Sequence, residues 1–198
     1  MPDILSPKPI ATATAHSLLI LNGIPGPITS TAAGLTDPSF QVLWYQFNIM
    51  HEATTAVSGV HQGSGRISQT PFRVVILDHA TTGIFNAFVK GSINTLIKVG
   101  LTQRLGPDVS PLLVFELKNV RISAFHQIEW SQIKNRSQDL PFSGMLNLED
   151  APDFSGSQVL ELHLVPEEIV VSYTPATTDG TIGGVISQSW NALTQAIT

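Results

Sequence analysis

Residues 70–102 read TPFRVVILDHATTGIFNAFVKGSINTLIKVGLT, and the changes of period inside this stretch decide the fold. Phe72, Val74 and Ile76 alternate with their neighbours, which is the two-residue period of a strand. Ile84, Phe85, Ala87 and Phe88 then fall at helical spacing. Thr81 or Thr82 can cap the start of that helix, and Gly91 stands where a helix stops. Thr95, Ile97, Val99 and Leu101 return to the strand period. This strand–helix–strand unit does not recur, which argues against a doubly wound parallel sheet.

Outward from it, strands predominate. Residues 17–21 predict a first strand, ended by the turn cluster Gly23-Ile24-Pro25-Gly26-Pro27. Residues 40–50 are the clearest strand, and both of its faces are apolar: Val42 and Trp44 on one side, Leu43, Tyr45, Phe47 and Ile49 on the other. Residues 58–66 are a glycine-rich loop. After a turn at Gly106 and Pro107, residues 111–117 and 120–125 read as two strands broken at Lys118-Asn119. Residues 159–165 and 168–173 follow a polar insertion at 131–157, and the tail carries Gly183-Gly184 and Trp190. Regularly spaced short strands with Gly/Pro punctuation predict a barrel or sandwich, an all-β domain over 17–198 behind a flexible arm at 1–16.

Composition narrows the function. Charged residues make up 13% of the chain, about half the usual share, and neutral polar residues take their place. Such a surface costs little to desolvate and suits a protein that buries its exterior against partners. The net charge of −5 opposes nucleic-acid binding, which wants a basic stripe. No stretch approaches the ~20 apolar residues of a membrane-spanning helix. The start of the chain, interrupted by Asp3 and Pro7, reads as mature sequence without a cleaved signal peptide. Cysteine is absent, so disulfides and thiolate metal sites are excluded.

Chemistry-bearing motifs are sparse. His51-Glu52 lacks the second histidine four residues on that a zinc-binding helix would need. Asp78-His79 stands where Asp usually caps or turns a chain. Glu161 and His163 would share one face of a strand, a conceivable metal pair with no third ligand indicated, and His126 and Glu129 are isolated. The glycine-rich loop lacks the Gly-Lys-Ser/Thr ending of a phosphate cradle. No catalytic residue, metal or cofactor is expected, and the chain is not expected to be an enzyme.

The order of elements carries more than any motif. Ile84, Ala87, Lys90 and Gly91 on the helix, Leu117-Lys118-Asn119-Val120-Arg121-Ile122-Ser123, the run Glu168-Ile169-Val170-Val171-Ser172-Tyr173-Thr174-Pro175, and Gly183-Gly184 before Trp190 succeed one another. In that succession the chain resembles the hemolysin-coregulated protein (Hcp) family, the tube proteins of type VI secretion systems. The resemblance spans residues 17–193. The insertion at 131–157 and the N-terminal extension depart from the family pattern. A tail-tube protein of a phage or related contractile device and a monomeric ligand-binding β-barrel are the alternatives.

The resemblance implies a six-stranded β-barrel of two sheets with one short flanking helix and extended loops. It implies homohexameric rings that stack into a hollow tube expelled by sheath contraction. Spike, sheath and baseplate components and effector proteins would be its partners. The protein would be cytoplasmic before firing and secreted afterwards. Within that expectation, Gly59, Val60, His61, Gln62 and Gly63 form a ring-stacking loop. Val42, Trp44, Tyr45 and Phe47 form a subunit-interface strand whose surplus apolar surface neighbouring copies hide.

Overall fold

The computed structural model describes residues 15–52, 66–77, 81–105, 108–129, 131, 158–175, 183–192 and 196–197. The arm up to residue 14, the loop at 59–63 and the insertion from 132 to 157 lie outside the described residues. The elements are β1 (Ala15–Leu21), β2 (Phe40–Gln46), β3 (Ile49–Glu52), β4 (Arg66–Gln69), β5 (Phe72–Leu77), α1 (Thr81–Val89), β6 (Ile93–Leu105), β7 (Asp108–Glu129), β8 (Gln158–Val165), β9 (Glu168–Tyr173), β10 (Ile186–Asn191) and β11 (Ala196–Ile197).

Six of these strands close into an antiparallel barrel in the order β1-β2-β5-β8-β7-β6 and back to β1. Strands β8 and β9 lie end to end along one edge of β7, opposite residues 129–121 and 118–113. Thus β9 carries the line of β8 beyond the barrel, and β10 pairs with the outer edge of β9. The break expected at Lys118-Asn119 is a bend inside one 22-residue strand. Asn119 adopts a φ of 50°, which Asn tolerates better than most residues. Its Nδ2 donates to Glu167 Oε2 at 2.9 Å, and the Glu167 backbone N–H donates to the Lys118 carbonyl at 3.0 Å. The bend therefore sits opposite the β8–β9 junction, and each kink satisfies the other.

Strand β2 is also a correction. It ends at Gln46, and Ile49 starts a separate ribbon in which β3 pairs with β4. Within β2 the register shifts between Val42 and Trp44. A bulge places two successive residues on one side of a strand. Val42 and Tyr45 accordingly join the barrel interior, while Leu43 and Trp44 pack with Val75 and Val159 in a second cluster. Val42, Leu43, Trp44 and Tyr45 are all buried within the single chain, and Phe47 packs against the interior. The bulge thus gives both apolar sets a place in the protomer, which covers Val42, Leu43, Trp44 and Tyr45 and leaves Phe47 half-buried.

The barrel is filled from both ends. Tyr45, Phe47, Phe72 and Phe115 form an aromatic group, with Phe72 stacked on Tyr45 at 5.7 Å and edge-on to Phe115 at 5.4 Å. At the other end α1 carries the chain from β5 to β6, which lie on opposite walls. Its Ile84 is fully buried in the interior cluster, worth roughly 1.5–3 kcal/mol of apolar burial. Phe85 and Phe88 meet Phe125 of β7 at 5.5 and 6.0 Å. The helix stops as its sequence predicts: Gly91 takes a φ of 61°. The Gly91 N–H donates to the Phe88 carbonyl and the Ser92 N–H to that of Ala87, both at 3.0 Å. This is the Schellman pattern, in which a left-handed residue satisfies the last carbonyls of a helix.

Residues 22–39 strap the outer face of β1 and β6. Ala32 and Leu35, both fully buried, pack there with Ile20, Val109 and Val114. Gly100 on β6 leaves the room: a Cβ at that position would lie 2.5 Å from Leu35 Cδ1.

Candidate functional site

On the outer wall of β5, β8 and β7 a polar cluster interrupts the apolar pattern. Alternation along β8 sends Leu160, Leu162 and Leu164 inward and Glu161 and His163 outward. Antiparallel register then sets Arg73 of β5 opposite His163 and His126 of β7 opposite Glu161. Glu161 is only 2% exposed, so its charge needs partners. Arg73 supplies them: its Nε donates to Glu161 Oε1 at 2.8 Å, and its Nη2 bonds the same oxygen. His163 Nε2 lies 3.0 Å from that oxygen as well. Arg73 also stacks over the Trp44 ring at 5.3 Å and reaches Gln46 Oε1 at 3.4 Å. The His126 and His163 rings meet edge-on, with centroids 5.4 Å apart.

Burial pushes the Glu161 carboxyl up, but hydrogen bonds from Arg73 and His163 and the charge of Arg73 together hold it below its ordinary value of 4.5. The carboxylate is therefore ionised at neutral pH. Its contribution to stability is complete above 4.5 and is lost as pH falls through the lower folded value.

Of the residues singled out from sequence, the fold brings Glu161 and His163 together as expected and adds His126. Glu129 stays apart from them. The side chains of His51 and Glu52, and Asp78-His79 altogether, lie outside the described residues. Among the described residues no helix is long and apolar enough to cross a membrane.

Exposed apolar side chains gather in two other places. Phe85, Val89 and Ile93 lie on α1 and just beyond its cap, at 48, 64 and 47% exposure. Tyr173, Val185 and Ile186 lie where β9 gives way to β10, at 44, 64 and 61%. Ile93 is registered on Arg121 of β7, and Tyr173 on Leu113. Eight residues of β7 separate those two points, roughly 27 Å of strand. These are distinct surfaces on one chain.

No protein-family model matches the chain, and no curated protein matches it in sequence. Solved structures do. A type six secretion system protein superposes with a TM-score of 0.71, covering 92% of this chain and 99% of its own at 15% identity. Hcp1 from Salmonella typhimurium superposes at 0.57, covering 94% of this chain and all of its own, also at 15% identity. The fold is that of the Hcp proteins. A type VI secretion system effector from Yersinia pestis has it too, with a TM-score of 0.54 over 88% of this chain and 98% of its own at 14% identity. The likeness is one of structure, and it spans nearly the whole length of both partners. In this Hcp fold the elements named from sequence have definite places: Ile84 closes a barrel end, Gly91 caps the helix, and Trp190 is buried opposite Ile169.

Proposed function

We propose that this chain is the tube subunit of a type VI secretion system, closing into hexameric rings that stack into a hollow tube. The observation that carries the proposal is the end-to-end structural match to a type six secretion system protein. The physical surface is consistent with it. A ring requires a heterologous contact, in which two different patches of one protomer meet. The patch at Phe85, Val89 and Ile93 and the patch at Tyr173, Val185 and Ile186 supply such a pair. They take the place of the β2 aromatics as the lateral contact. The loop at Gly59, Val60, His61, Gln62 and Gly63 makes the ring-to-ring contact.

On this reading the role is structural and not catalytic. Sheath, spike and baseplate components surround the tube, contraction expels it from the cytoplasm, and effector proteins ride in its lumen. Negative-stain images of two variants separate the contacts. Val185→Asp with Ile186→Asp should leave a folded chain that no longer makes annular particles. Val60→Asp with His61→Asp should leave rings but remove stacks. Rings from the first variant, or stacks from the second, would discard the corresponding contact.

A further inference from the structure

We propose that His126, Glu161 and His163 bind a divalent transition-metal ion of the zinc class on the outer wall of the barrel. One ligand atom from each residue lies within 4.8 Å of the other two. The set is mixed nitrogen and oxygen, which suits zinc, nickel or copper and not the all-oxygen preference of calcium or magnesium. The Glu161–His163 pair is already spaced near that of a loaded site, and His126 lies within reach of both. Ligand atoms about 2.1 Å from a tetrahedral ion sit roughly 3.4 Å from one another, against 3.0 Å between His163 Nε2 and Glu161 Oε1. Two imidazoles sharing such an ion have centroids roughly 5 Å apart, against 5.4 Å for His126 and His163.

The scaffold is rigid where rigidity helps. Glu161 and His163 are two apart on a strand paired on both edges, and His126 faces Glu161 across the register. Only His126 is exposed and free to swing in, with Glu161 buried and His163 partly so. Arg73 has a defined part: its bonds to Oε1, the oxygen that also faces His163, fix the orientation of the carboxylate, and an ion at that oxygen shares it with them. Its charge also opposes a cation, so zinc binding here is weaker than at a structural zinc site. On binding, the His163 proton that faces Glu161 moves to the other ring nitrogen or to solvent, freeing a lone pair for the ion. The site stands on the barrel wall alone and does not depend on the tube reading.

The test is calorimetric titration of the chelator-stripped full chain with zinc chloride. The unaltered chain should bind one ion per protomer, and magnesium chloride should give no binding. His126→Ala, an exposed change that leaves the barrel intact by circular dichroism, should weaken zinc binding at least about tenfold, and His163→Ala should do the same. Absence of zinc binding to the unaltered chain would overturn the proposal. So would binding that neither substitution weakens, which would place the ion on other histidines.

Discussion

Tyr45 shows how one residue can be right in kind and wrong in place. Its aromatic character marks β2 as apolar on both faces, but the bulge after Val42 turns the ring into the barrel, stacked on Phe72. Burial pushes its hydroxyl above the ordinary value of 10.0. The unfolded chain loses that proton near 10.0 while the folded chain resists, so the stabilisation is intact below 10.0 and is lost as pH rises through the folded value. Tyr45→Phe keeps the ring contacts and removes the titration. Urea midpoints measured upward from pH 10.0 should fall less in the variant than in the unaltered chain, and parallel declines would contradict this account. The same scale explains the polar cluster. Glu161 and His163 share a strand face by simple alternation, which sequence shows. His126 and Arg73 reach them through cross-strand register, which no single sequence prints.

Elements with local causes were legible, and those with tertiary causes were not. Helix α1 announces itself by its period and its stop, and the hydrogen bonds around Gly91 follow from that residue's freedom at positive φ. The continuity of β7 was hidden, since Lys118-Asn119 looks like a break and becomes a bend answered by Glu167 from the β8–β9 junction. The strap over β1 and β6 depends on a similar long-range fit. Its Ile28 bridges to Ser39, and Gly26 lies against that pair so closely that a Cβ would stand 2.2 Å from the Ser39 carbonyl carbon and oxygen. Backbone cannot yield as a flexible side chain does. Gly26→Ala should therefore cost more than about 2 kcal/mol in urea unfolding, whereas a change within about 0.5 kcal/mol would show that the strap does not pack as described.

At the scale of the molecule, low charge and surplus apolar strand suggested an exterior meant to be covered. The fold relocates that surplus: β2 is buried within the protomer, and among the described residues uncovered apolar groups gather on α1 and the start of β6 and at the β9–β10 corner, with Ile49 and Val165 exposed elsewhere. Six barrel strands, a helix across one end and the β8–β9 line along β7 form one unit with two separate exposed apolar surfaces. On the proposed tube reading those two surfaces meet between copies, and such a heterologous contact closes into a ring or runs on as a filament. Light scattering behind size exclusion decides the central claim. The account predicts particles near six times the 21.3 kDa of one chain. A species that stays at the mass of a single chain as concentration rises would contradict it.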